Sequence, residues 1–96
     1  MGNPFAAETE LLILRMLKDD PDGMYGLELV KASNNKLKRG TVYVTLGRLE
    51  EKGFVRSRRE RKERHPGLPR PRYSLTGLGQ KALDAAEIMG LQVARA

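Results

Sequence analysis

Cysteine and tryptophan are absent from this chain of 96 residues, and histidine occurs once, as His65. Without cysteine there is no disulfide framework, no thiol nucleophile and no cysteine-based metal site, which fits a reducing compartment. One histidine cannot build a histidine-rich metal site. No apolar run approaches the roughly 18 residues that cross a bilayer, and no secretory signal is evident. We therefore expect a cytoplasmic protein with no metal, no other cofactor and no membrane partner.

The residue patterns of common catalytic sites are also missing. A Ser-His-Asp set would depend on His65 in a loop, and no carboxylates are paired in an apolar pocket. Gly77 and Gly79 precede a helix, but the Lys-Ser/Thr pair of a phosphate-cradling loop does not follow them. The sequence predicts a protein that is not an enzyme and has no catalytic residues.

Basic residues are in excess, and the formal net charge is +6. This balance favours an acidic partner, with a merely soluble basic domain as the alternative. A chain of this length makes one small domain that buries only about two thirds of its surface, so association of two copies would help it.

The stretch 39–53 predicts a helix with two different faces. Val42, Leu46 and Leu49 recur at spacings of four and three residues, so they share one apolar side. A solvated helix face would normally be long and charged, but the opposite side is mostly short-chained. Gly53, which tolerates a positive φ, is expected to end the helix. The members of the short-chained face are Gly40, Thr41, Val44, Gly47, Arg48 and Glu51.

Cations before this helix indicate what its short-chained face approaches. Lys36, Lys38 and Arg39 lie at or just before its start. Small side chains let a helix axis come close to another surface, and the flanking cations suggest that this surface is negative. The major groove of DNA is wide enough to admit one helix. The stretch therefore predicts a recognition helix, with the three cations on phosphates.

Within the helix, we expect different roles for individual side chains. Arg48 is the candidate for a bidentate contact with guanine; a phosphate contact or an ion pair with Glu51 are its alternatives. Thr41 and Val44 would touch thymine methyl groups. Tyr43 lies to the side of the helix, where it would either reach a phosphate or pack against the protein.

Two further helices are expected before the recognition helix. After a loose lead-in over 1–7, the apolar residues of 11–17 surround the axis of the first helix almost completely, which predicts burial on nearly every side. The second helix is predicted over 24–33, with Leu29 and Ala32 inward, and Leu37 anchors the short turn that follows. Two helices joined by a brief turn, the second entering DNA, form a helix-turn-helix.

After Gly53 the periodicity changes to two, which predicts a β-hairpin. Val55 begins the first strand, and Tyr73 and Leu75 face inward from a returning strand over 72–75. Between 56 and 72 there are eight basic and two acidic residues, a net charge equal to that of the whole chain. A solvated loop is the ordinary explanation of a charge run, but its position after a recognition helix favours contact with phosphates or the minor groove.

A last helix follows Thr76, whose side-chain oxygen is expected to cap it. Leu78, Ala82, Ala85 and Met89 recur at coiled-coil spacing and predict a packing seam. The seam would lie against the first helix, against the same helix of a second copy, or against both.

Three motifs resemble those found in the same order in the PadR family of bacterial transcription regulators. They are Tyr25-Gly-Leu-Glu-Leu, Gly40-Thr-Val-Tyr-Val-Thr-Leu-Gly-Arg-Leu-Glu50 with Gly53-Phe-Val, and Arg72-Tyr-Ser-Leu-Thr-Gly-Leu-Gly79. The resemblance implies a mainly α fold with a small β-hairpin, a winged helix-turn-helix with a C-terminal dimerisation helix. The DNA-binding domain would cover 1–75, and the dimerisation helix would cover 76–96 of the same compact unit.

The resemblance also implies a homodimer that represses transcription at a partly palindromic operator on double-stranded DNA. The expected dimer interface comprises Leu12, Leu78, Ala82, Ala85 and Met89. The absence of tryptophan argues against an aromatic effector pocket. The expected DNA-binding residues are Lys36, Lys38, Arg39, Thr41, Tyr43, Val44 and Arg48 near the recognition helix, and Arg58, Arg59, Arg61, Lys62, Arg64 and Arg70 on the wing.

One departure from the family pattern carries information. Many relatives place Ser-Pro before the Gly-Thr pair, where this chain has Lys38 and Arg39. The capping contribution of about 1 kcal/mol is lost, and cations lie at the positive end of the helix dipole. This arrangement costs stability unless a phosphate lies nearby. Two alternatives to a specific regulator remain, namely a winged-helix protein-interaction module and a nonspecific DNA-packing protein.

Overall fold

The computed structural model describes residues 4–60 and 70–90, which form four helices and a small antiparallel sheet. The sheet order is β1-β3-β2. No helix in these ranges is long and apolar enough to cross a membrane. The elements are α1 (Pro4–Lys18), β1 (Met24–Tyr25), α2 (Gly26–Ala32), α3 (Arg39–Glu51), β2 (Val55–Glu60), β3 (Arg70–Leu75) and α4 (Gly77–Ile88).

One apolar core joins all four helices to the sheet. Helices α1 and α3 contribute three buried side chains each, α2 contributes Leu29 and α4 contributes Leu83. The apolar face predicted for α3 is confirmed, because Val42, Leu46 and Leu49 are fully buried. Leu37 is buried in the turn before α3, as predicted. The other fully or almost fully buried side chains are Ile13, Leu14, Leu17, Val55 and Leu83.

The first helix is longer than predicted and less completely buried. It begins at Pro4 rather than near residue 8, and proline is well suited to a first helical turn because its missing N–H has no partner there. Leu11, Leu12 and Met16 pack against the core but are only partly buried, and Arg15 and Lys18 are exposed.

Two details of the second helix were predicted wrongly. Met24 and Tyr25 form strand β1, paired with Tyr73 and Arg72, so α2 begins only at Gly26. Ala32 is exposed rather than inward. The core side of α2 passes through Leu29 and Ser33, which are four positions apart and both buried.

Ser33 organises the turn of the helix-turn-helix. Its hydroxyl donates to the Val30 carbonyl oxygen at 2.7 Å and accepts from the Leu37 amide at 3.1 Å. Asn34 and Asn35 both have positive φ, a conformation that asparagine tolerates better than most residues. The turn therefore has fixed hydrogen bonds that set the start of α3.

A Schellman arrangement ends α3, as predicted for Gly53. Gly53 has a φ of 79° and donates to the Glu50 carbonyl oxygen at 3.0 Å, and Phe54 donates to that of Leu49 at 2.9 Å. The chain turns directly into β2.

The returning strand begins at Arg70 rather than at Arg72 and includes Pro71, which pairs with Arg59. Strand β1 pairs only with Arg72 and Tyr73, so one side of β3 has no strand partner at Pro71, where a proline is tolerated. The inward positions of Tyr73 and Leu75 are confirmed, since both pack against the core.

The cap of α4 is also confirmed. The Thr76 hydroxyl accepts from the Gly79 amide at 3.0 Å and donates to the Gly53 carbonyl oxygen at 2.6 Å. Gly79 is buried where α4 crosses the end of α3, and a methyl group there would overlap the Phe54 carbonyl oxygen. An ion pair between Arg15 and Glu87 links α4 to α1.

Candidate nucleic-acid interface

The side of α3 opposite the core is exposed along its whole length. Val44 keeps 57% of its surface accessible although it is apolar. An added Cβ at Gly40 or at Gly47 would meet no atom within 4 Å. The protein itself therefore gives no reason for glycine at these two positions, and both lower the stability of a helix interior. The exposed set is Gly40, Thr41, Val44, Gly47, Arg48 and Glu51.

The N-terminus of α3 has no side-chain cap. Lys38 occupies the N-cap position in extended conformation, with φ −75° and ψ 151°, and makes no capping hydrogen bond. Arg39 is the first helical residue, and the first turn contains no acidic side chain. Lys36, Lys38 and Arg39 are all exposed. Free backbone N–H groups and three cations thus surround the positive end of the helix dipole.

Arg48 forms no ion pair within the described ranges, so the expected alternative partner Glu51 does not engage it. Its neighbour Lys52 is held away, with its Nζ 2.8 Å from Glu10 Oε1 on α1. Arg48 is exposed on the same side of α3 as Thr41 and Val44.

Tyr43 packs against the protein and is also accessible. An ideal Cβ on Gly26 would lie 2.7 Å from the Tyr43 hydroxyl oxygen, so only glycine at the start of α2 leaves room for this ring. The tyrosine remains 38% exposed. The role of Gly26 was not predicted from the sequence, because the side chain that requires a glycine there, Tyr43, is 17 positions away.

The hairpin of β2 and β3, here called the wing, carries its arginines on two different faces. Arg59 lies on the inner face with Ser57, whose hydroxyl donates to Glu50 Oε2 on α3 at 2.7 Å. Arg58 lies on the outer face, directly opposite Arg72. Arg70 is exposed at the start of β3. The expected residues Arg61, Lys62 and Arg64 fall outside the described ranges, as does His65.

Tyr73 lies where the inner face of the wing meets α3. Burial raises the pKa of its hydroxyl, and the nearby Glu50 carboxylate and Tyr43 raise that pKa further.

Three of the four residues of the predicted seam of α4 are exposed in the single chain. The core side of this helix consists of Gly79, Leu83 and Ala86. Leu78 and Met89 instead keep 54% and 75% of their surface exposed. The neighbouring Ile88, which the sequence reading missed, is 85% exposed. Of the remaining members of the expected dimer interface, Ala85 is exposed, and Leu12 and Ala82 are partly buried.

A helix-turn-helix whose second helix is exposed on one side, followed by a two-stranded wing and a final helix, defines a winged helix-turn-helix domain. Residues 13–85 match the model of the transcriptional regulator PadR-like family. The chain belongs to this family, whose members are regulators of transcription.

Solved structures agree with this assignment. A PadR family transcription regulator from Clostridium difficile R20291 is 30% identical, with a TM-score of 0.70 over 83% of each chain. A PadR-like transcription factor from Bacteroides fragilis is 24% identical, with a TM-score of 0.75 over 88% of this chain and 82% of that one. A search of the curated proteins gave no significant match.

One similar structure contains nucleic acid. Bacillus subtilis PadR, crystallised in complex with operator DNA, has a TM-score of 0.76 and 19% identity to this chain. The match covers 92% of this chain and 51% of that one, so it establishes a shared fold over about half of the larger protein.

Proposed function

We propose that this protein is a sequence-specific DNA-binding regulator, a repressor that acts as a homodimer at a partly palindromic operator in the cytoplasm. The observation that carries the proposal is the exposed face of α3, with two glycines that the protein does not need and an uncapped, cationic N-terminus. The family of regulators to which the chain belongs supports it, as does the shared fold with an operator-bound PadR.

In this mechanism α3 enters the major groove with its short-chained face toward the base edges. Gly40 and Gly47 let the helix axis approach, and Thr41 and Val44 contact thymine methyl groups. Arg48 bonds a guanine in bidentate fashion, a contact worth about 1–3 kcal/mol of discrimination against other bases.

Phosphate contacts would fix the register of α3 on the duplex. Lys36, Lys38 and Arg39 neutralise phosphates beside the N-terminus of α3, where the free N–H groups also favour an anion. Each phosphate neutralised steepens the salt dependence of binding by roughly 0.9 in log–log slope. The wing cations Arg58, Arg59, Arg61, Lys62, Arg64 and Arg70 would contact the backbone or an adjacent minor groove.

Replacing Arg48 by alanine is expected to relax base preference, whereas replacing Arg59 by alanine is expected to weaken all duplexes alike. Arg48 reads base edges in the major groove in the proposal, while Arg59 contacts the backbone or an adjacent minor groove, where base identity is read much less completely. Titration of both variants against a duplex selected from random DNA, and against its scrambled counterpart, measures the two effects separately. The expected loss for Arg48→Ala on the selected duplex is about tenfold or more.

Equal losses for both variants on both duplexes would refute this division of roles. If the wild type bound all duplexes with the same affinity, the DNA-packing alternative would be favoured. Weak binding that does not respond to salt would favour a protein-interaction module.

Replacing Met89 by aspartate is expected to dissociate the dimer. The side chain is 75% exposed in the single chain and lies on the same side of α4 as Leu78 and Ala85. A buried, unpaired carboxylate in a helix–helix seam is costly. Sedimentation at micromolar concentration should show wild-type dimers and variant monomers, with Asp84→Asn, an exposed neighbour, as the control. A wild type that sediments as a monomer removes the basis for this prediction.

A further inference from the structure

Glu50 lies in the last turn of α3, where a carboxylate is unfavourable. Acidic side chains near the C-terminus of a helix oppose the helix dipole. In the proposed complex, the same charge would also repel the phosphates beside α3. Glu50 forms no ion pair with any residue in the described ranges. These costs indicate that the carboxylate has a role that offsets them.

The contact that Glu50 makes is with the wing. Its Oε2 accepts a hydrogen bond from the Ser57 hydroxyl at 2.7 Å, and a bond to an ionised acceptor is stronger than one between neutral groups. Ser57 lies directly opposite Tyr73 in the ladder, and Tyr73 packs against the core. Burial raises the pKa of the Tyr73 hydroxyl most, and the Glu50 carboxylate raises it further. The carboxylate is thus close to both strands of the wing.

The bond lies at the point where β2 leaves the core. Val55 is buried, Ser57 is partly buried and Arg59 is exposed, and these three residues alternate onto the same face of the strand. Arg59 is about 7 Å further along the strand than Ser57 and forms no ion pair with any described residue. The angle of the strand at Ser57 therefore sets where Arg59 lies relative to α3.

Direct contact with DNA is the alternative role for Glu50, because a carboxylate can accept from the amino group of cytosine in the major groove. Two observations favour the contact with the wing. Glu50 lies seven positions after Tyr43 and so shares its side of α3, beside the face that carries Val44 and Arg48 rather than within it. Its carboxylate is also already bonded to Ser57.

We infer that Glu50 is a positioning residue, which holds the wing through Ser57 at the angle at which Arg59 and Arg48 contact the same DNA. The inference rests on the proposed function and adds an internal link between the two contacting elements. Arg48 lies two positions before Glu50, so the link joins the recognition helix to the wing close to the base contact. Residues that act through one hydrogen-bond network have coupled effects on binding, and this coupling can be measured.

The test is a double-mutant cycle with threonine or valine at position 57. Threonine retains the hydroxyl, valine has nearly the same shape without it, and both suit a β-strand. In the wild type and in Ser57→Thr, Arg59→Ala should weaken binding to the selected duplex about fivefold and lower the salt slope by roughly 0.9. In Ser57→Val, the same change should weaken binding less than about twofold and leave the slope unchanged, because Arg59 is no longer held in place.

A second pair of variants tests the acceptor. Glu50→Gln retains an oxygen that can accept from Ser57, so Arg59→Ala should still cost about fivefold in that background. It should also keep the base preference and bind all duplexes about twofold more tightly, because a negative charge is removed. Glu50→Ala lacks the acceptor, so the effect of Arg59→Ala should disappear as it does in Ser57→Val.

Thermal melting checks that the variants are folded, and the Glu50 pair decides the matter if Ser57→Val is not. Equal losses from Arg59→Ala with and without the hydrogen bond would overturn the inference, as would no loss in the wild type. A changed base preference for Glu50→Gln would also overturn it, since the carboxylate would then contact a base. Failure of the proposed function is distinct, because the wild type would then bind selected and scrambled duplexes equally.

Discussion

Replacing Gly79 by alanine is expected to lower the free energy of unfolding by about 3 kcal/mol or more, the upper range for an overpacked site. A Cβ at this position would overlap the Phe54 carbonyl oxygen and would lie 2.8 Å from Leu75 Cδ1 and 2.9 Å from the Phe54 carbonyl carbon. Side chains rotate away from such contacts more easily than backbone does, and two of the three atoms are backbone.

The backbone at Phe54 has little freedom to move. Its carbonyl oxygen accepts from the Thr76 amide at 3.1 Å, and its own amide donates to the Leu49 carbonyl oxygen at 2.9 Å. A shift that relieves the overlap would disturb the end of α3 or the start of α4. The same site therefore fixes the relative positions of the proposed recognition helix and the proposed dimerisation helix.

Gly77→Ala is the matched control, because it lies in the same helical turn and an added Cβ there meets no atom within 4 Å. Urea unfolding followed by circular dichroism should show a large loss for Gly79→Ala and a small gain or no change for Gly77→Ala. Equal midpoints for Gly79→Ala and the wild type would contradict the close approach of α4 to Phe54.

The parts of the fold that were predicted correctly depend on local rules. The two faces of α3 follow from a period of 3.6 residues, and its end follows from a glycine that accepts positive φ. The Thr76 cap follows from a side chain that accepts a hydrogen bond from the backbone three residues later.

The features that were missed depend on contacts between distant segments. Strand β1 has only two residues, too few for a pattern, and it exists because β3 offers a partner. Gly26 is needed for the Tyr43 ring, which lies 17 positions away in the sequence. Both features depend on a segment that is distant in the sequence and adjacent in the fold.

The candidate DNA-binding site also has features that follow from local patterns and features that depend on the fold. That the wing is basic could be predicted from composition, and the period of two already predicts that Arg58 and Arg59 lie on opposite faces. The pairing of Arg58 with Arg72 needs the strand register. The seam of α4 was predicted from spacing, with its partner left open. In the structure, Leu83 and Ala86 occupy the core side of α4, whereas Leu78 and Met89 are exposed in the single chain.

Replacing Gly47 by leucine is expected to separate stability from DNA binding. An added Cβ meets no atom within 4 Å, and leucine is favoured over glycine in a helix by about 0.8 kcal/mol. The variant should therefore be slightly more stable than the wild type. In the proposed complex the same side chain would lie between α3 and the floor of the major groove, where it would keep the helix axis from approaching the base edges.

We expect the affinity of Gly47→Leu for the selected duplex to fall at least about 100-fold, or about 2.7 kcal/mol. Gly47→Ala should lie between the wild type and Gly47→Leu, because the loss grows with the size of the added group. Gly77→Ala, an exposed glycine of α4 whose added Cβ also meets no atom within 4 Å, should bind normally. Fluorescence anisotropy with labelled duplex, together with thermal melting, measures both quantities on the same samples. If Gly47→Leu were stabilised and still bound the selected duplex with wild-type affinity, α3 would not enter the groove with this face.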